Sequence, residues 1–526
     1  MKNTLIKKYI LLIAIVAIGI SCTKESESTD LSSANLIPIP LKIEATAKEF
    51  KLNSNTVIST SGDIDFKKVG EFLSEKLSHH NSLDIKIEES AKKNVINIIK
   101  DENYGLTSNE SYELIVDENA ITIKASSDEG AFRAIQTLRQ LIPIEANPNG
   151  ERIVSTGKIL DEPNYGYRGS MLDVARHFFP KEDVFKYIDA MAYYKMNVLH
   201  LHLSDDQGWR IEIKSWPDLT AVGGHTQVGG EAGGFYTQED YTEIVNYAAK
   251  HHITVIPEID MPGHTYAASV AYPHLNGAKK SIEVLDNPTP DRRTLLYTGI
   301  EVGFSTFDAR KETTYEFVDD VVREISELTP GPYFHMGGDE SHVTSDEDYD
   351  YFVERVGEIV RKYDKRMIGW DEVARVDKDP NSVVQFWDKE DNAKMAKDKG
   401  MKIIMSPAKK AYLDMKYDTL SKFGLHWAAY IPVDVSYKWT PEKYVEGISK
   451  ENILGVEAPL WSETISKTEE LEYLAYPRVI GIAEVGWSIE ENRDWDNYRV
   501  RLANQTPYLN QMNIKYYPSK LVDWVE

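Results

Sequence analysis

The chain changes rhythm once. From about residue 160 onward, short apolar runs alternate with longer stretches whose apolar residues recur every three or four positions. The runs at 167–173, 197–203, 254–259, 333–337, 366–370, 382–387, 402–405 and 454–458 have the length of buried strands. Segments such as 181–195, 239–251, 312–328 and 347–363 carry helical periodicity and separate most of them. Eight strands largely interleaved with helices predict an α/β fold, a (β/α)8 TIM barrel with long loops after the strands. Ahead of it, from about 36 to 155, β-like runs stand at 56–59, 95–99, 112–116 and 120–124. The last two are joined by Asp117-Glu118-Asn119, which reads as a hairpin turn. Helical patterns at 66–77 and 130–141 complete a small α/β domain with no catalytic constellation. The expected organisation is a domain at 36–155 followed by the barrel at 156–526.

The first thirty-five residues follow neither rhythm. Lys2, Lys7 and Lys8 precede an apolar run from Tyr9 to Ile20, a charged region and a short apolar core of the kind found in export signals. The run is too short for a spanning helix. It ends at Gly19-Ile20-Ser21-Cys22, which resembles a bacterial lipoprotein box, with Gly19 departing from the usual leucine. That resemblance implies a signal peptide at 1–21 and lipidation of Cys22. The protein would then be tethered to the membrane of a bacterial cell envelope, on its periplasmic or surface face. Cys22 is the one cysteine in the chain, so no disulfide staples the fold. Residues 22–35 are polar, rich in serine and glutamate, and read as a flexible tether.

Composition narrows the partners. The 526 residues carry 84 acidic and 60 basic side chains, a formal charge of −24. Such a surface repels nucleic acid and anionic lipid, so the membrane enters only through the lipid anchor. Thirty tyrosines and ten tryptophans supply flat rings for a ligand as well as for the core.

In a TIM barrel the chemistry sits at the C-terminal ends of the strands. Those ends here carry Asp173 and Arg176; Asp205, Asp206, Trp209 and Arg210; Glu258, Asp260 and His264; Asp339 and Glu340; Trp370, Asp371 and Glu372; Trp387; Tyr412 and Asp414; Trp461 and Glu463. Gly337-Gly338-Asp339-Glu340 alone could be an acidic surface turn. Its place among so many chemically equipped strand ends argues otherwise. Tryptophan faces stack on the apolar face of a pyranose. Carboxylates and arginine hydrogen-bond pairs of hydroxyls. A carboxyl group of raised pKa protonates a glycosidic oxygen. No nucleotide-type glycine loop stands out.

These residues resemble the signatures of the family 20 glycoside hydrolases, the β-N-acetylhexosaminidases. Gly169 to Phe178, Asn197 to Arg210, Pro257 to His264 and His335 to Glu340 look like the family's first four motifs. Tyr412-Leu413-Asp414 and Leu460-Trp461-Ser462-Glu463 resemble the late ones. Residues 36–155 resemble the α/β domain that usually precedes the barrel. Glu457-Ala458-Pro459 departs from the pattern, where amide or small residues are commoner.

The resemblance implies exo-acting hydrolysis of terminal β-linked N-acetylglucosamine or N-acetylgalactosamine from a glycan, without cofactor or metal. Glu340 would be the general acid and then the general base. The nucleophile would be the sugar's own 2-acetamido oxygen, oriented through Asp339 and Tyr412. Trp370, Trp387 and Trp461 would wall the pocket. Arg176, Asp414 and Glu463 would bind hydroxyls, and Asp205 with His264 would form a relay to Glu340. Asp206 and Trp209 would brace the loop, with His177 and His335 as packed hydrogen-bonders. Two rival readings are a metal-dependent barrel hydrolase, using His200, His202, Asp205, Asp206 and His264, and a non-catalytic glycan-binding lipoprotein. The epimer, the linkage, the leaving sugar, 6-sulfation and the oligomeric state are not legible in the chain.

Overall fold

A computed structural model describes residues 30–88, 93–278 and 291–525. The export segment and Cys22 lie outside the described residues. Among those described, no helix is long and apolar enough to cross a membrane.

The first domain is a seven-stranded sheet with the order β1-β7-β5-β6-β4-β2-β3. Its strands are β1 Lys42–Leu52, β2 Val57–Thr60, β3 Lys86–Ile87, β4 Val95–Lys100, β5 Tyr112–Val116, β6 Ala120–Ala125 and β7 Arg152–Asp161. The hairpin of β5 and β6 forms as the turn residues predict. Strands β1 and β7 have no counterpart in the sequence-based expectation. β1 is largely exposed and reads KIEATAKEFKL, so no apolar alternation marks it, and its register shifts between Ala45 and Glu49. β7 runs past residue 155, so the sheet ends at Asp161.

The helix Asp128–Leu141 is buried along most of its length between this sheet and the barrel. Ser127 caps it by accepting from the Gly130 N–H, and Asp128 and Glu129 suit the positive end of its dipole. Arg133 from this helix reaches the His252 carbonyl at 2.9 Å, and Gln140 reaches Ile37 at 2.7 Å. Asp161 ties the domains together. Its carboxylate accepts from Tyr112 Oη at 2.6 Å, Lys195 Nζ at 2.9 Å, Trp487 Nε1 at 3.0 Å and the Leu41 N–H at 3.0 Å. A buried ion pair satisfied on every side in this way is tolerated, whereas a broken one is costly.

The second domain closes eight parallel strands into a barrel: β8 Tyr167–Asp173, β9 Val198–His202, β10 Thr254–Glu258, β11 Tyr333–His335, β12 Arg366–Trp370, β13 Val383–Phe386, β14 Lys402–Met405 and β15 Ile453–Leu460. Each lies on an expected run. β11 stops at His335 because Gly337 and Gly338 turn with φ of 69° and 103°. At the N-terminal end the barrel is filled by Tyr167, Val198, Ile256, Ile368, Val383 and Ile404. Two residues further along the same strand faces the filling becomes polar: His200, Glu258, Gln385 and Glu457. Glu457 accepts from His200 Nδ1 at 2.9 Å, from Gln385 Nε2 at 2.7 Å and from the Tyr167 hydroxyl. Such a layer survives burial only because its members satisfy one another.

Candidate active site

The strand ends converge on one pocket at the barrel mouth. Arg176, Asp339, Glu340, Trp387, Tyr412, Asp414, Trp461 and Glu463 line it together with Ile300, Val302, Leu425 and Trp427, around a cavity of about 190 Å³. Eight of the residues singled out in the sequence thus share one wall. Trp370 lies a layer below. It is 1% exposed, its ring sits 5.6 Å from that of Trp461, and its indole N–H donates to Glu258 Oε1 at 2.8 Å. It supports the floor rather than facing the opening.

The turn after β11 delivers the two acids. A Cβ on Gly337 would stand 1.8 Å from Asp260 Oδ1, so only glycine fits there. The Gly338 N–H donates to the same Asp260 oxygen at 3.0 Å, and Tyr349 Oη donates to the Gly338 carbonyl at 2.7 Å. Glu340 itself has a φ of 44° and His264 one of 56°. Non-glycine residues in this left-handed region carry strain of order 1 kcal/mol, a cost that clusters at functional sites.

His264 stands behind the acids. Its Nε2 lies 3.6 Å from Glu340 Oε2 and 3.7 Å from Asp339 Oδ2, while Nδ1 meets Asp205 Oδ1 at 3.1 Å. Asp205 Oδ2 meets His202 Nε2 at 2.9 Å and Arg176 Nη2 at 2.7 Å. The expected relay from Asp205 through His264 to Glu340 is present as contacts. Asp206 and Trp209 brace neighbouring loops: Asp206 accepts from the Tyr266 N–H, and Trp209 donates to the Ile211 carbonyl. His177 Nδ1 meets the Ser462 carbonyl at 2.6 Å, and His335 accepts from the Gly337 N–H at 3.0 Å.

Electrostatics divide the carboxyl groups. Burial raises Asp339 well above the usual carboxylate range, with Asp260 and Glu340 adding to it and His264 opposing. Burial also pushes Glu340 up, but the His264 imidazolium 3.6 Å away outweighs it and leaves Glu340 lowered. Burial works against the charge on His264, and Asp205, Asp260 and Asp339 more than restore it. Glu463 is pushed up to about 7, first by burial. Asp414 is raised by burial and by Glu463, and both its oxygens are buried without a partner. Asp339 Oδ1 and Arg176 Nε are likewise unpartnered. These are open hydrogen-bonding positions on a pocket wall, the arrangement a polyhydroxylated ligand satisfies. The guanidinium of Arg176 also lies 4.7 Å over the Trp461 ring.

Among the described residues, four sets of three groups approach within reach of one cation: His200, Glu258 and His335; His202, Glu258 and Asp260; Asp205, Asp260 and His264; and His264, Asp339 and Glu340. Their donor chemistry points elsewhere. Both nitrogens of His202 lie on carboxylates, His264 Nδ1 lies on Asp205, and His335 Nδ1 takes the Gly337 N–H. At His202 and at His264 Nδ1 a metal would have to displace these bonds, while His200, His264 and His335 each keep an Nε2 with no hydrogen-bond partner.

Sequence reasoning missed Trp427, Leu425, Ile300 and Val302. Trp427 is 56% exposed and stands edge-on to Trp387 and Tyr412 at ring distances of 6.0 and 6.1 Å. All four lie in long loops, away from any strand end, where hydrophobic rhythm says nothing about position. A tryptophan in the polar stretch after β14 is the one signal available.

The pocket offers flat rings to a sugar's apolar face, open acceptors to its hydroxyls and an acid at its edge, the chemistry of a carbohydrate site. Comparison with known proteins refines the class. The profile of the glycosyl hydrolase family 20 catalytic domain matches residues 165–349 and 342–490, and that of the family's domain 2 matches residues 33–162. The β-N-acetylhexosaminidase of Cellulomonas fimi is 36% identical over 495 residues, 93% of this chain and 97% of that one. The solved GH20 β-N-acetylhexosaminidase of Streptomyces coelicolor A3(2) superposes with a TM-score of 0.87 at 42% identity, covering 94% of this chain and 99% of that one. A mutant Streptomyces plicatus β-hexosaminidase in complex with product (GlcNAc) gives 0.87 at 41% identity, covering 94% and 98%. The chain belongs to glycosyl hydrolase family 20.

Proposed function

We propose that the protein is an exo-acting β-N-acetylhexosaminidase that removes terminal β-linked N-acetylglucosamine or N-acetylgalactosamine from glycans, using the substrate's acetamido group as nucleophile. One observation carries this reading. Asp339 presents a buried, unpartnered oxygen to an aromatic-walled pocket, in direct sequence with a carboxyl group held on His264.

The acetamido N–H donates to Asp339, and Tyr412 donates to the acetamido oxygen, which brings that oxygen onto C1. Such a tethered nucleophile has an effective concentration of about 10⁵ M or more. Trp387 and Trp461 flank the ring. Glu340 protonates the glycosidic oxygen as the bond to C1 breaks. The oxazolinium that forms is positive, and it favours ionised Asp339, whose burial keeps it raised before substrate arrives. Glu340, now a carboxylate beside His264, then takes a proton from water as that water opens the intermediate on the original face. Configuration is retained. Arg176, Asp414 and Glu463 hold the sugar hydroxyls.

The test is release of single sugars from the non-reducing end of oligosaccharides ending in either epimer. Glu340→Gln should slow it at least about 10²-fold when the leaving group is poor. Cleavage at internal bonds, or near-normal turnover in Glu340→Gln, would refute the assignment.

We also propose that the protein is an exported lipoprotein held to the envelope by acylated Cys22. The support is the charged and apolar pattern of residues 1–22. Cys22→Ser should move the enzyme from the membrane to the soluble fraction, and an unchanged distribution would end that reading.

A further inference from the structure

We propose that Glu258 is a positioning residue of the acid/base machinery, the far end of a line of alternating charges that runs from Glu340 through His264, Asp205 and His202. This rests on the reading of Glu340 as proton donor.

Three of the four links are hydrogen-bonding contacts between opposite groups, and the first is an ion pair. Glu340 Oε2 lies 3.6 Å from His264 Nε2, His264 Nδ1 lies 3.1 Å from Asp205 Oδ1, and Asp205 Oδ2 lies 2.9 Å from His202 Nε2. His202 Nδ1 then lies 2.6 Å from Glu258 Oε2. His202 is thus held between two carboxylates, neither of which has a proton to give when ionised, so the ring donates from both nitrogens and carries a charge. That fixes Asp205. One of its oxygens is shared by His264 and the Asp206 N–H, and the other by His202 and Arg176. Without His202, the second oxygen would answer to Arg176 alone, and the carboxylate could tilt about the Asp206 N–H that holds its first oxygen, changing its angle to His264.

Glu258 does a second thing. Its Oε1 accepts the Trp370 indole N–H at 2.8 Å, and Trp370 underlies Trp461 in the pocket wall. One carboxylate therefore sets both the proton-transfer line and the floor of the sugar site. The groups packed around it are His200 and His202 on β9, His335 on β11 and Trp370 on β12, with Asp260 two residues on. Glu457 balances His200 from the other side. Glu258 is fully buried and absent from the pocket lining, so any effect on turnover must pass through these partners.

The test compares Glu258→Gln and His202→Gln with wild type on aryl β-N-acetylglucosaminides graded by leaving group. A dinitrophenyl group departs without a proton, whereas a phenyl group needs one. Both variants should lose at least about 10-fold more kcat on the phenyl than on the dinitrophenyl glycoside, with KM within about threefold. The double variant should lose little beyond either single one, because both cut the same line. A purely structural residue would lower both substrates alike, in step with the folded fraction, and that result would overturn the proposal. Should Glu258→Gln fail to fold, His202→Gln carries the test alone. Glu340→Gln on the same series separates the two claims. If it is also flat, the reading of Glu340 fails. If it is steep and the other two are flat, only the role of Glu258 fails.

Discussion

Replacing His264 with asparagine should make the enzyme slower yet active to higher pH. The imidazolium stands 3.6 Å from Glu340 Oε2 and is the leading reason Glu340 lies below the usual carboxylate range. Two unit charges at that distance interact by about 4–5 kcal/mol at an effective dielectric near 20. The Glu340 side chain is 29% exposed, so water takes roughly half of this, leaving about 2 kcal/mol. The sign follows from the chemistry. Glu340 must be protonated to act, so activity falls as pH rises through its pKa. Removing a positive neighbour raises that pKa, and the basic limb of kcat/KM moves to higher pH. The assay is a pH profile of kcat/KM on an aryl N-acetylglucosaminide for His264→Asn and wild type. A basic limb that stays within about 0.3 unit of wild type, or moves down, would refute the electrostatic link between His264 and the acid.

Other outcomes follow from the same contacts. Lys195→Met strands Asp161 between the domains and should cost about 3 kcal/mol of stability in denaturant titration; a loss below about 0.5 kcal/mol would mean that Tyr112, Trp487 and the Leu41 N–H suffice for that carboxylate. Prolonged chelation should leave turnover unchanged, since both His202 nitrogens and His264 Nδ1 are already held by carboxylates; a complete loss that metal restores would favour the rival metal-dependent hydrolase. Gly337→Ala should abolish activity by at least about 10²-fold while the first domain keeps its fold, because a Cβ there meets Asp260 at 1.8 Å; a variant with ordinary kcat would mean the turn can shift without moving Asp339 and Glu340.

The barrel is legible in the chain because its strands are buried on both faces and stand out as unbroken apolar runs. The strand ends are legible for a related reason: an acid or tryptophan directly after such a run falls where a barrel opens to its ligand. The first domain is harder. β1 turns charged side chains to solvent and bends at a bulge, so its alternation is hidden, and β7 belongs to the first sheet although it lies beside the barrel in sequence. The pocket's back wall follows strand order, whereas its rim does not. Trp427, Ile300 and Val302 reach the opening through loops whose paths depend on packing elsewhere. The polar layer inside the barrel is half visible. His200 and His202 alternate on one strand face, but Glu457, Gln385 and Glu258 come from other strands, and only closure of the barrel brings them together.

The division of labour between enzyme and sugar is tested most directly by removing the acetamido group from the substrate. Paired nitrophenyl β-glycosides, one carrying N-acetylglucosamine and the other glucose, are assayed for kcat/KM with wild type and Asp339→Asn. The expected result is a preference of at least about 10³-fold for the acetamido sugar, with retained configuration, that shrinks sharply in Asp339→Asn. Equal hydrolysis of the two sugars by the wild type would contradict substrate assistance outright.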